Sequence, residues 1–62
     1  MLDWLGKKIF VETYSKRIYQ GSVVDETETK IVLIDKFNHR VELSKIDIKT
    51  CEEQDFIKNG KN

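Results

Sequence analysis

The chain has 62 residues, which is enough for one domain with a marginal core. Its 11 basic and 11 acidic residues cancel, so binding to nucleic acid would need a local patch rather than an overall field. One Cys and one His exclude an internal disulfide and cannot supply the four ligands of a structural zinc site. The single thiol, the lack of a secretory segment and the lack of an apolar run of about 20 residues predict a cytoplasmic protein without membrane segment, metal or other cofactor.

The first half of the chain predicts two strands after a short turn. The opening MLDWLG is typical of a single helical turn with one apolar side. A period of two then begins over residues 8–14, with Ile9 and Val11 on one face and Phe10 and Glu12 on the other, and it continues over residues 18–25. This predicts two strands joined by a turn at residues 15–17. Gly21, in the middle of the second strand, indicates a bulge or a place where another backbone comes close.

The second half continues this pattern. An acidic loop, residues 25–29, leads into KIVLID at 30–35, and its four consecutive apolar residues predict a strand that is covered on both faces. Residues 41–43 and 46–51 give two more strands. No segment is long enough for a crossover helix, so the strands are expected to pair antiparallel. The tail from 52 to 59 fits either a short helix or a frayed end.

Five short strands with a glycine at the centre of one predict an all-β fold, a small and strongly bent antiparallel barrel. The barrel would occupy about residues 6–51 of a single domain, 1–62, with residues 52–62 as its tail. The residues predicted to point inward are Ile9, Val11, Tyr19, Val23, Ile31, Leu33, Val41, Leu43, Ile46 and Ile48. The outer face would carry Phe10, Ile18, Val24, Val32 and Ile34. This is more apolar surface than a small monomer leaves exposed, so a second subunit or the terminal segments should cover it.

The segment DKFNHR, residues 35–40, places an aromatic ring, an amide, an imidazole and two cations in one short loop. The simpler interpretation is a hairpin turn in which Asn38 adopts the left-handed conformation and its neighbours are solvated. The functional interpretation is a contact with single-stranded RNA, with base stacking, phosphate contacts and base-edge hydrogen bonds. Phe37 would stack on a base, and Lys36 and Arg40 would contact phosphates. Asn38 or His39 would form a hydrogen bond with the edge of a base. Because turns contain such residues without any binding function, the turn is the preferred interpretation of this segment alone.

Enzyme chemistry has little support in the sequence. His39 is the only histidine, and neither Ser44 nor Cys51 has a base beside it in the sequence. No glycine-rich phosphate loop is present. We therefore predict a protein that is not an enzyme.

Most of the chain resembles a known family. GKKIFVETYSKRIYQGSVVDETETKIVLID resembles the first motif of Sm and Sm-like proteins, with an opening Gly, alternating apolar residues, a strand with a central Gly, a polar loop and an apolar strand that ends in Asp. The matching positions are Gly6, Ile9, Val11, Gly21, Val23, Ile31, Leu33 and Asp35. VELSKIDIK resembles the shorter second motif. Other small barrels, such as the carboxy-terminal domain of ribosome maturation factors and the appendages of biotin ligases, share much of this pattern.

The resemblance implies a bent five-stranded sheet that often begins with a short helix. It also implies subunits joined strand to strand into rings of six or seven, and binding of single-stranded RNA. The uridine pocket of the family does not carry over. Glu26 stands where the family has Asp, Lys30 where it has Asn, and Glu42-Leu43 or Ser44-Lys45 where it has Arg-Gly. The second motif of Hfq, the bacterial relative, is not visible either.

We therefore predict an Sm-like RNA-binding protein that forms a homo-oligomer, either a ring or a smaller assembly. Repetition of a weak patch around the assembly would raise affinity through avidity. The candidate RNA-contacting residues are Lys30, Lys36, Phe37, Asn38, His39, Arg40 and Lys45. The alternative is a protein-interaction or assembly module that keeps the barrel, lacks the uridine pocket and binds a protein partner. The acidic loop and the missing pocket residues favour this alternative.

Overall fold

The computed structural model describes residues 3–54, which form five strands and one 3₁₀ helix. The strands are β1 Lys8–Thr13, β2 Ile18–Glu26, β3 Lys30–Ile34, β4 Arg40–Ser44 and β5 Ile48–Glu53, and the 3₁₀ helix is Lys45–Asp47. All strand pairs are antiparallel and form one sheet in the order β4-β3-β2-β1-β5. The predicted all-β fold with five antiparallel strands is confirmed. Within residues 3–54, no helix has the length and apolar character needed to cross a membrane.

The prediction that the sheet closes into a barrel is wrong. β4 and β5 are the two edges, and each pairs with a single neighbour in the described part of the chain. The 3₁₀ helix carries the chain between these edges. It is held by hydrogen bonds from Lys45 N–H to the Thr29 carbonyl at 2.8 Å and from Tyr14 N–H to the Asp47 carbonyl at 2.8 Å. A connecting segment therefore lies where a closed barrel would need β4 to pair with β5.

One face of the sheet encloses the core. Its buried residues are Ile9, Val11, Val23, Ile31, Leu33 and Leu43, and Trp4, Tyr19, Val41, Ile48 and Cys51 pack against them while partly exposed. Every residue predicted to point inward is in this set except Ile46. The prediction for Ile46 is wrong, because it lies in the 3₁₀ helix rather than in β5, and it is 89% exposed.

The predicted outer residues are unevenly covered. Strand β3 is covered on both faces as expected, since Val32 is buried together with its two neighbours. Phe10 and Ile34 are half-buried, whereas Ile18 and Val24 are exposed. The single chain thus leaves part of its outer apolar surface open to solvent.

The N-terminal segment forms a β-turn instead of the predicted helical turn. The N–H of Lys7 donates to the Trp4 carbonyl at 3.0 Å, and Gly6, the third residue of the turn, has φ +83°. A turn with positive φ at this position favours glycine. The first two residues of the predicted helical turn lie outside the described residues.

The C-terminal prediction is wrong where it can be compared. Glu52 and Glu53 do not begin a helix, because they extend β5 and pair with Phe10 and Ile9 of β1. The remainder of the predicted helix, to residue 59, lies outside the described residues. The acidic loop is also shorter than predicted, since β2 continues through residue 26.

Strand β2 passes very close to the end of β3 at Gly21. A Cβ atom at this position would collide with the carbonyl group of Ile34 and would lie 3.1 Å from the Cα of Asp35. The predicted close approach of another backbone is confirmed, and only glycine leaves room for it. This contact brings the segment that follows β3 alongside the middle of β2.

Candidate functional site

The turn between β3 and β4, residues 35–39, is organised by Asp35. Its carbonyl accepts a hydrogen bond from the Asn38 N–H at 2.9 Å, and its N–H donates to the His39 carbonyl at 3.0 Å. Its carboxylate Oδ1 accepts from the N–H groups of Phe37 and His39, both at 2.9 Å. Asn38 has φ 67°, which confirms the predicted left-handed conformation. These four hydrogen bonds give the turn a defined shape.

The ionised carboxylate of Asp35 is stabilised by groups of the turn itself. The hydrogen bond from the His39 N–H lowers the pKa of Asp35 most. Burial opposes this effect, and the N–H of Phe37 and the His39 imidazole, whose Nδ1 lies 3.6 Å from Oδ2, lower the pKa further. The net result is a pKa below the ordinary value of an aspartate. Asp35 therefore stays ionised and holds the turn near neutral pH.

The Phe37 side chain is 68% exposed. The Lys36 Nζ lies 5.4 Å from the centroid of its ring, and the His39 ring centroid lies 6.2 Å from it. Arg40 begins β4 directly after the turn and is exposed, with no ion pair or side-chain hydrogen bond among residues 3–54. An exposed aromatic ring beside cations is the arrangement on which a nucleobase stacks while its phosphates are neutralised.

An open cavity of about 500 Å³ lies between β2 and this turn, and we refer to it as the β2 cavity. Ile18, Ile34 and Phe37 give it an apolar wall. Lys8 and Lys36 contribute cations to its lining, and Gln20 and Ser22 contribute polar groups. Apolar, polar and cationic groups thus line one cavity.

The other two candidate residues lie away from the turn, near the opposite end of β3. Lys30 is the first residue of that strand and pairs with Ser44 of β4. Its Nζ lies 3.0 Å from Glu42 Oε2, and both side chains are largely exposed. Lys45 follows β4 and forms an ion pair with Glu26. The structure therefore brings Lys36 to Arg40 together and places Lys30 and Lys45 elsewhere, each paired with a carboxylate.

Glu26 is a buried carboxylate with three partners. Its Oε1 accepts hydrogen bonds from the N–H groups of Trp4 at 2.8 Å and Leu5 at 3.0 Å, and its Oε2 lies 2.7 Å from the Nζ of Lys45. Burial alone would raise the pKa of Glu26, but the Lys45 ammonium and the two N–H groups outweigh burial and lower it. Glu26 thus fastens the N-terminal segment and the 3₁₀ helix to the end of β2.

Prediction from the sequence missed the contribution of β1 and β2 to the cavity. Lys8, Gln20 and Ser22 line it together with the turn, although they are distant from the turn in sequence. The signal for them was Gly21, because a backbone that approaches a strand at glycine also approaches the neighbouring residues of that strand.

The described residues contain little else that resembles a reactive centre. No three of the His, Cys, Asp and Glu side chains in residues 3–54 come together in a way that could hold a metal ion. Cys51 is half-buried, and burial together with the nearby Glu26 carboxylate raises the pKa of its thiol. A thiol with a raised pKa is less reactive, because the thiolate is the nucleophile.

No protein-family model matches this sequence, no curated protein is detectably similar to it, and no solved structure matches its fold.

Proposed function

We propose that this protein is a cytoplasmic, Sm-like RNA-binding protein that contacts single-stranded RNA through the turn between β3 and β4. The observation that carries the proposal is the exposed ring of Phe37, which is held on a turn fixed by Asp35 and has the Lys36 ammonium 5.4 Å from its centroid. Burying a Phe side chain normally stabilises a protein, so a ring left in solvent beside a cation is available for a partner.

The contribution of one such turn is modest. A base stacked on an aromatic ring adds roughly 1–3 kcal/mol, and the net charge of the chain is zero, so no long-range field adds to it. Useful affinity then requires several turns that act on one RNA strand. Binding and self-association are therefore parts of the same proposal.

The open sheet supports self-association. In the described residues, β4 and β5 each have one side without a strand partner, and open edges pair readily with other chains. Val24 adds exposed apolar surface that an adjacent subunit could cover. A contact between unlike edges of identical chains propagates head to tail and closes into a ring when its rotation permits.

The test has two measurements. Light scattering during gel filtration gives the mass in solution, and the absorbance ratio at 260 and 280 nm reports co-purified nucleic acid. Fluorescence anisotropy with labelled oligo-uridine then measures affinity over a range of salt concentrations. We expect an oligomer whose RNA binding weakens as salt rises.

The double variant Phe37→Ala, Arg40→Ala should lose binding and remain folded, since both side chains are exposed. The matched control is Ile46→Ala, Lys49→Ala, which also removes one exposed apolar side chain and one exposed cation, but outside the turn. Equal RNA affinity of the two double variants would remove the turn as the binding site.

A second candidate function is a protein-interaction module. The observation that favours it is the Glu26–Lys45 ion pair. Both residues stand at positions where the family resemblance would put the uridine pocket, and each is bound to the other instead of being open to RNA. Capture of a basic protein partner together with an absence of affinity for oligo-uridine or heparin at low salt would favour this function.

A further inference from the structure

We propose that the β2 cavity receives one nucleobase of the bound strand, with Phe37 as its stacking wall and with Lys36 in contact with an adjacent phosphate. The inference rests on the proposed RNA-binding function and deepens it, because it adds β1 and β2 to the site and names the part of the ligand that enters. The residues that carry it are those that line the cavity beside Gly21.

The size and the walls of the cavity suit a nucleotide. Its volume of about 500 Å³ lies within the range of about 300–1,000 Å³ that is common for small-molecule sites. Ile18 is 63% exposed and Phe37 is 68% exposed, and both line the same cavity. A flat ring that enters here removes apolar surface of both residues from water, which favours binding.

The charges of the cavity select an anionic ligand. Asp35 also lines it, but its Oδ1 accepts two backbone N–H groups and its Oδ2 faces the His39 imidazole. Its carboxylate oxygens are therefore engaged within the turn, whereas the Lys36 ammonium, also in the lining, has no carboxylate partner among residues 3–54. A phosphate beside an inserted base complements this cation.

The polar groups of the cavity favour a nucleobase over an acidic peptide as its ligand. The carboxamide of Gln20 can donate and accept hydrogen bonds, and the Ser22 hydroxyl can do the same. Both residues line the cavity with the aromatic wall, so a ring with hydrogen-bonding groups at its edge uses every type of group present. A peptide carboxylate would use the cation and leave the stacking wall without a matching partner.

The first experiment tests the cavity with small probes and the full chain. Uridine and adenosine 5′-monophosphates are titrated and the backbone amide signals are followed by NMR, with ribose 5-phosphate as the probe that lacks a base. We expect shifts at Gln20, Gly21 and Phe37 with the nucleotides and much smaller shifts at these amides with ribose 5-phosphate. Equal shifts with all three probes would overturn the inference, because phosphate alone would account for them.

The second experiment uses oligonucleotides and Gln20→Ala, a change at an exposed side chain that should leave the fold intact. We expect it to change the ratio of affinities among oligo-A, oligo-C and oligo-U by about 2- to 10-fold, as one lost hydrogen bond would. Lys36→Ala should weaken all three to a similar extent and lower the salt dependence. Lys49→Ala, an exposed cation outside the cavity, is the control.

The outcomes distinguish this inference from the function on which it rests. If RNA binds and depends on Phe37, but Gln20→Ala preserves the affinity ratios and the monophosphates cause no shifts, then the turn binds alone and the cavity inference is wrong. If the monophosphates shift the amides of β2 while no oligonucleotide binds, the cavity is a nucleotide site and the RNA-binding function is wrong. Displacement of the monophosphates by oligo-glutamate at equal concentration would overturn the inference in favour of an acidic peptide.

Discussion

Replacement of Glu26 by Ala should destabilise the protein more than any change at an exposed charge. The carboxylate is buried, and it satisfies two backbone N–H groups of the N-terminal segment and the ammonium of Lys45. Alanine would leave all three donors without their acceptor at the edge of the core. Donors that lose a buried acceptor carry their full desolvation penalty.

The magnitude follows from these contacts. Breaking a buried ion pair by removal of one partner costs about 3–5 kcal/mol. The Lys45 side chain is 23% exposed, so its ammonium can turn toward water, and we take the lower end, about 3 kcal/mol. A chain of 62 residues has a free energy of unfolding of roughly 3–9 kcal/mol at about 0.05–0.15 kcal/mol per residue. Glu26→Ala would therefore remove a third or more of the stability and lower Tm by roughly 12–24 °C.

The assay is urea and thermal unfolding, followed by the fluorescence of Trp4, the single tryptophan. Its backbone N–H donates a hydrogen bond to Glu26. Glu26→Gln keeps an acceptor for the two N–H groups and should lose only about 1–2 kcal/mol. The control is Glu42→Ala, which breaks the exposed pair with Lys30 and should change stability by at most about 1 kcal/mol. If Glu26→Ala and Glu42→Ala unfold at the same urea concentration, the assigned role of the buried pair is refuted.

Three further predictions concern acid, the close approach at Gly21, and the left-handed residue of the turn. Folding lowers the pKa of Glu26, so its contribution to the free energy of unfolding is complete above its unfolded pKa near 4.5 and is lost as pH falls through the folded pKa. In urea titrations, Glu26→Gln should therefore lose less stability at acid pH than the unchanged protein does. Gly21→Ala should destabilise by about 1–3 kcal/mol or prevent folding, as circular dichroism would detect, because the Ile34 carbonyl is backbone and has little freedom to move. Asn38→Gly should change Tm little, whereas Asn38→Val should cost about 1–2 kcal/mol at φ 67°, and equal Tm values for the two would argue against this conformation.

The strands were predictable because burial on one face imposes a period of two. Ile9, Val11 and Val23 alternate with residues that are less buried, and each is buried where the pattern places it. The same period misled the prediction at Ile46. The segment IDIK alternates like a strand, but Lys45 N–H bonds the Thr29 carbonyl and Tyr14 N–H bonds the Asp47 carbonyl, which pulls the segment into a 3₁₀ helix. Those partners are distant in sequence, and a local pattern does not contain them.

Barrel closure could not be predicted for a related reason. Hydrophobic periodicity reports which face of a strand is buried, but it does not report which strands share an edge. Whether β4 pairs with β5 depends on the path of residues 45–47 between them, and that path is set by long-range hydrogen bonds. The same limit applies to Glu26, which reads as one more residue of an acidic loop until the fold brings Lys45 to it.

The sequence predicted the turn of the candidate site, but it did not predict the cavity that forms between this turn and β2. The turn at residues 35–39 and the conformation of Asn38 follow from the turn preferences of Asp and Asn, which act within a few residues. The β2 cavity exists because β2 has a glycine where the end of β3 passes it, so Gln20 and Ser22 belong to the site through a contact between strands.

The seven predicted RNA-contacting residues include cations of two kinds, and this difference links binding to assembly. Lys30 and Lys45 are paired with carboxylates, whereas Lys36 and Arg40 form no ion pair within residues 3–54. One chain thus offers about two phosphate contacts, and for a single strand this corresponds to roughly a 7-fold loss of affinity between 50 and 200 mM salt. So few contacts, added to one stacked base, give weak binding to a single subunit. A variant that stays monomeric should therefore bind RNA much more weakly than the assembly even with every residue of the turn intact.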